Sequence, residues 1–136
     1  MYKIPDLILK ELPLYRSSVQ VVTDYAEKQK IRNNFFFLQQ LIEDKSENLS
    51  YHLYDKNPDN FDISEYINNF FLSEREIILC PLDDNDDLNF AIKGPVNNII
   101  NVIEELPFFE FLLLSLGYDK LLMDTHHFCT ITYRAK

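Results

Sequence analysis

Glycine is nearly absent from this chain: Gly94 and Gly117 are the only two in 136 residues. A phosphate-cradling loop needs clustered glycines so that backbone amides can close on the ligand, and a flexible linker needs them for freedom, so neither is expected. Cations are also scarce. Lysine and arginine total 13 against 22 aspartates and glutamates, a formal net charge of -9. Lys28, Lys30 and Arg32 form the only close group. A dense phosphate backbone would be repelled by such a field, which argues against direct nucleic-acid binding. A basic partner would be drawn in, and an anionic membrane surface avoided. Long apolar runs are missing too. The longest, Leu106 to Leu116, is broken by Pro107, Glu110 and Ser115 and falls short of the ~20 residues a membrane helix needs. The start, Met1 to Asp6, has proline and aspartate where a secretory leader needs an apolar stretch, so a cytoplasmic location is expected. Two cysteines, Cys80 and Cys129, lie in apolar, strand-like runs and read as buried free thiols rather than a disulfide.

Apolar residues make up 46% of the chain and aromatic residues 14%, enough to build a core and too many for a disordered segment. The length suits one domain spanning residues 1–136, with no repeat or change of composition to divide it. After a start punctuated by Pro5 and Pro13, Ser17-Ser18-Val19-Gln20 has capping-box spacing and predicts a helix to about Ile31, with Val19, Val22 and Ala26 on one face. Asn33-Asn34 would end it or begin another. Phe35 to Glu43 admits either helix or strand; Leu38, Leu41 and Ile42 favour helix. Leu49 to Tyr54 suits a strand running into a turn at Asp55 to Asp59. Asp62 and Glu65 then cap a helix whose apolar face is Ile63, Tyr66, Ile67, Phe70 and Phe71.

Glu76 to Pro81 and Leu88 to Lys93 read as paired strands joined by the acidic stretch Asp83-Asp84-Asn85-Asp86-Asp87. Pro95 marks the first position of an amphipathic helix carrying Val96, Ile99, Ile100, Ile103 and Leu106, ended by Pro107. Phe109 to Ser115, Lys120 to Asp124 and Phe128 to Tyr133 form a C-terminal antiparallel meander around turns at Gly117-Tyr118-Asp119 and Thr125-His126-His127. Helices early and consecutive strands late predict an α+β fold, an antiparallel sheet packed with three to four helices.

Chemistry-bearing clusters are few. His126, His127, Asp124 and Cys129 are all zinc-ligand types, but adjacent strand residues point to opposite faces, so the two imidazoles converge poorly on one ion and no metal site is expected. Cys129 and His127 share one strand face, yet Cys129 also shares it with Ile131 and Tyr133, which makes an inert buried thiol the better reading. Neither Gly-x-Ser-x-Gly nor a glycine-centred calcium loop is present. The expectation is a binding protein rather than an enzyme, with no cofactor. Its candidate contact residues are Asp83, Asp84, Asp86 and Asp87, with Glu104 and Glu105 placed against the negative end of the preceding helix. A solvated turn remains the alternative for the aspartates.

The stretch from Glu76 onward, closing in Asp124-Thr125-His126-His127, resembles small bacterial immunity proteins. In its small size and acidity the chain is similar to immunity proteins of contact-dependent growth inhibition. That resemblance implies a cytoplasmic inhibitor whose acidic surface binds a cognate toxin domain, commonly a basic nuclease, with Tyr51, Tyr54 and Tyr118 as candidate anchors. The alternatives are a small metal- or histidine-dependent enzyme using His126 and His127, and a regulatory subunit of a larger assembly.

Overall fold

The computed structural model describes residues 3–53, 62–125 and 129–135. Alternation of apolar residues at Ile77-Ile78-Leu79-Cys80 and Phe111-Leu112-Leu113-Leu114 aims successive side chains at opposite sides, and both sides are buried. A sheet with two apolar faces must be covered twice. Among the described residues seven antiparallel strands form it: β1 (Gln20–Val21), β2 (Leu49–Leu53), β3 (Glu76–Pro81), β4 (Ile92–Pro95), β5 (Phe111–Ser115), β6 (Lys120–Thr125) and β7 (Cys129–Arg134). Their order is β1-β4-β3-β5-β6-β7-β2, so β5, β6 and β7 are the expected meander. Among the described residues four α-helices cover the sheet: α1 (Ile4–Glu11), α2 (Tyr25–Glu43), α3 (Ile63–Phe70) and α4 (Val96–Glu105).

Ile77, Leu79, Phe111, Leu113 and Leu122 pack with Ile4 and Ile8 of α1, Ile67 of α3 and Ile99 of α4. Ile78, Cys80, Leu112, Leu114, Leu121, Met123 and Ile131 pack on the other side with Ile31 and Leu38 of α2. The α+β fold, the meander, the helix capped by Asp62 and the helical state of Phe35 to Glu43 are thus as expected. The α2 face is apolar out to the edge, with Ile131 facing Tyr51 and Tyr133 facing Leu49 across β7 and β2. The opposite face changes character. There the β7 and β2 positions are Thr130, Thr132, Ser50 and His52.

The N-terminal third departs from expectation. The capping box at Ser17 does not form: Arg16 and Ser17 take positive φ, and Gln20–Val21 pairs with Lys93 and Ile92. Asp24, with Glu27 three residues on, caps the helix instead, its carboxylate accepting from the Glu27 amide at 3.0 Å. The β-branched Val19, Val21 and Val22 suit an extended segment better than a first helical turn. The helix then runs unbroken through Asn33-Asn34 to Glu43. Upstream, Pro5 does not prevent α1, because it sits in the first turn, where its missing N–H costs nothing. Pro95 is the last residue of β4 and the N-cap of α4 rather than its first helical residue. The strand expected from Leu88 begins only at Ile92. The expected turn at Asp55 to Asp59 and the residues His126 and His127 lie outside the described residues.

Gly94 lets β1 approach β4. A Cβ there would stand 2.9 Å from Val19 Cγ2 and 3.0 Å from the Ser18 carbonyl oxygen. Since the second neighbour is backbone, Gly94→Ala is expected to cost about 1–3 kcal/mol, seen as a lowered urea midpoint with an unchanged slope.

Candidate functional site

The connection between β3 and β4 is built around a buried asparagine. Asn85, 9% exposed, donates from Nδ2 to the carbonyls of Pro81 at 2.7 Å and Phe90 at 2.8 Å. Its Oδ1 accepts from the Phe90 amide at 2.9 Å. One side chain therefore closes the loop from both ends, and Phe90 is withdrawn from the strand. This is why β4 starts late.

Around that centre the aspartates separate into two kinds. Asp83 is half-buried, and its Oδ2 accepts from the Glu110 amide at 3.2 Å. Asp84, Asp86 and Asp87 are exposed. Asp84 and Asp87 take φ values of 57° and 56°, a left-handed conformation that aspartate tolerates better than most residues. Leu88, at φ 51°, carries such strain without that excuse, but its side chain packs into the α2-face core.

Glu104 and Glu105 are exposed in the last turn of α4. Leu106 leaves the helix in an extended conformation, φ -103° and ψ 155°, as expected of a residue preceding proline. The segment from Leu106 to Glu110 then crosses to the acidic loop. The Leu82 amide donates to the Glu110 carbonyl at 2.9 Å, reinforcing the Asp83 contact. All six carboxylates predicted for binding thus sit at one end of the sheet, on either side of a linker tied to both. Glu11 adds to this field: burial first, then Glu11 and Glu105, hold the Tyr15 hydroxyl above its ordinary range.

Between α3 and the linker lies a cleft of about 270 Å3, lined by Ile63, Ile103, Leu106, Phe109 and Phe111, with Glu104 and Asp124 also among its lining residues. Asp124 is 2% exposed. It stands in a cross-strand row, Phe111, Asp124, Thr130 and His52, on the face shared by α3 and α4. Thr130 Oγ1 donates to its Oδ1 at 3.0 Å. Phe108, 59% exposed, is the most accessible aromatic of the linker.

The three tyrosines do not gather here. Tyr118 is half-buried in the β5–β6 turn at the opposite end of the sheet, Tyr51 is 49% exposed on the edge strand β2, and Tyr54 is outside the described residues. That opposite end carries Lys120 and Arg134, a directly opposed pair on β6 and β7. Glu74 lies 3.2 Å from the ammonium of Lys120, and the guanidinium of Arg134 lies over the Phe70 ring. The turn between β5 and β6 is fixed by Ser115, which donates to Asp119 at 2.7 Å and holds that carboxyl below its usual range.

Among the described residues no group of three or more His, Cys, Asp and Glu side chains is arranged to hold a metal ion. Neither cysteine is in a disulfide. β3 and β7 are separated by β5 and β6, which puts the strands of Cys80 and Cys129 about 14 Å apart, beyond bonding reach. Burial pushes the Cys80 thiol up to about 12, partly opposed by its contact with Asn85. A thiol so protonated is a poor nucleophile. Thr130 is fully buried, and its hydroxyl is engaged with Asp124. No helix among the described residues is long and apolar enough to cross a membrane.

Asn85 and Asp124 were not singled out in the sequence as parts of one site. The only local signal for Asn85 is an uncharged residue in the middle of four aspartates. Compared with known proteins, the chain matches no family model, no curated protein and no solved structure.

Proposed function

We propose that this chain is an inhibitor of the immunity-protein kind, which binds a basic toxin domain through the acidic end of its sheet. The supporting observation is the joining of carboxylates to an apolar centre. Asp84, Asp86 and Asp87 on one side and Glu104 and Glu105 on the other flank a linker that exposes Phe108 beside an apolar cleft. Tight interfaces combine a few desolvated anchors with a polar rim, and a rim of one sign accelerates encounter with an oppositely charged partner. Asn85 and the Leu82 and Asp83 contacts hold this surface in shape before binding, which lowers the ordering cost of association.

The test is binding of the toxin domain encoded beside this chain's gene, measured by calorimetry at two salt concentrations. A complex weakened by added salt is expected. Charge reversal at Asp84, Asp86, Asp87, Glu104 and Glu105 together should weaken it by about 100- to 1,000-fold, with circular dichroism unchanged. No complex, or one indifferent to the reversal, would overturn the proposal.

A further inference from the structure

The face of the sheet that α3 covers turns polar at the end opposite the acidic loop. Alternation along β7 puts Thr130, Thr132 and Arg134 on that face, and register sets Ser50 of β2 opposite Thr132 and Lys120 of β6 opposite Arg134. Phe70, the last residue of α3, meets this group, with the Arg134 guanidinium 5.3 Å from the centre of its ring. Two cavities share that ring and that cation in their lining. One, of about 380 Å3, also has Ser50 and Thr132 in its wall; the other, of about 330 Å3, has Ser73 and Lys120. No aspartate or glutamate lines either of them, in a chain whose carboxylates outnumber its cations 22 to 13.

Several donors converge on the larger cavity without acceptors. Thr130 and Thr132 stand two apart on one strand face, and the Thr130 hydroxyl is bonded to Asp124. Thr132 is 5% exposed, yet among the described residues its hydroxyl has no hydrogen-bond partner, nor has that of Ser50 opposite it. Lys120 is engaged with Glu74 and Ser73. Arg134, by contrast, forms no ion pair or hydrogen bond among the described residues. Its contact with Phe70 fixes where the guanidinium stands and consumes none of its five N–H donors.

The chemistry of the wall narrows the occupant. A cation would be repelled by Arg134, and an apolar group would leave the buried Thr132 hydroxyl unsatisfied. An oxyanion accepts from guanidinium and hydroxyls together, in bonds strengthened by charge. Same-face neighbours on a strand are ~7 Å apart and opposed residues ~5 Å, a span that one oxyanion hydrogen-bonded on each side can bridge. About 380 Å3 also falls within the ~300–1,000 Å3 of small-molecule sites. The net charge of -9 does not forbid an anion here. Asp124 lies four residues from Lys120 along β6, ~13 Å away, beyond the ~8 Å screening length at physiological salt. Of the nearer carboxylates, Glu74 is paired with Lys120, and Asp119, within the field of Arg134, accepts from Ser115.

We propose that this cavity binds a small molecule carrying a phosphate or carboxylate group, its oxyanion paired with Arg134 and accepting from Thr132 and Ser50, and its remainder against the Phe70 ring. The site goes beyond the function proposed above and does not depend on it, because the acidic surface lies at the other end of the sheet.

The test titrates the full chain with phenyl phosphate and with benzoate, followed by amide chemical shifts in NMR. Benzamide is the neutral control, and sodium chloride at equal ionic strength controls for screening. Shifts centred on Ser50, Phe70, Thr132 and Arg134 are expected with at least one anion, with benzamide at least about tenfold weaker. The tighter anion identifies the ligand class. Arg134→Gln, at an exposed position, should weaken binding at least about tenfold with circular dichroism unchanged. Thr132→Val should weaken it severalfold, and Ser50→Ala, also at an exposed position, carries the hydroxyl test if the buried substitution disturbs folding. Equal binding of benzamide, shifts centred elsewhere, or no saturation by either anion below about 10 mM would overturn the site. Anion binding indifferent to Arg134→Gln, or to both hydroxyl substitutions, would overturn it too.

Discussion

Replacing Asn85 with alanine is expected to destabilise the protein by about 3 to 5 kcal/mol, more than any other change in the acidic loop. The side chain makes three hydrogen bonds to backbone, at 2.7, 2.8 and 2.9 Å, and all are lost together. The carbonyls of Pro81 and Phe90 and the Phe90 amide lose those bonds, and each such group left unsatisfied costs about 1–3 kcal/mol. Water entering the loop would recover part of that sum. Asn85→Asp should be no milder, because it keeps the acceptor, loses both donors and turns carboxylate oxygens toward two carbonyls. Guanidinium unfolding followed by circular dichroism reads the change, and hydrogen exchange at Phe90 locates it. A loss below about 1 kcal/mol would mean that the loop keeps its shape without Asn85. The same variant bears on function: with the loop released, affinity for a basic partner should fall even though every carboxylate is retained.

Phe71→Ala is expected to cost about 3–5 kcal/mol, the range for removing a fully buried phenylalanine. Phe71 is 0% exposed at the C-cap of α3 and meets the Phe70 ring edge-on at a centroid distance of 4.9 Å. It belongs to the cluster that joins α1, α3 and α4 to β3 and β5, so the cavity would open within the core on that face of the sheet. Denaturant unfolding is the measurement. By contrast Leu72, the next residue, is 74% exposed, and Leu72→Ala should change stability by no more than about 0.5 kcal/mol. Similar losses at the two positions would contradict the packing described.

Much of this fold could be read from residue order because the relevant signals are local. Asp62 and Glu65 start α3 by bonding that spans three residues, and the Asp62 carboxylate does accept from the Glu65 amide. Val96, Ile99, Ile100 and Ile103 set the buried face of α4 by spacing alone, and Pro107 ends the helix by steric restriction on Leu106. The meander followed from three apolar runs and two short turns. Where the reading failed, two local signals competed and a distant contact chose between them. Ser17-x-x-Gln20 and Asp24-x-x-Glu27 both have cap spacing. Pairing of Gln20 with Lys93, across an approach opened by Gly94, assigns the first to a strand and leaves the second to start α2. The candidate site shows the same division. Acidity and the positions of the six carboxylates were legible, but their convergence depends on Glu110 meeting Asp83, residues 27 apart in the chain.

The sequence by itself therefore determined the charge, the helices with unambiguous caps, the meander and the absence of glycine-rich phosphate loops, since each depends on composition or on neighbours within a few residues. Only the tertiary structure decided that the acidic loop and the end of α4 share one edge, that Asn85 organises that loop, and that Asp124 lines an apolar cleft beside them. Those properties arise from strand register and from hydrogen bonds that close long loops. A residue's own identity carries no information about which distant backbone group it will meet.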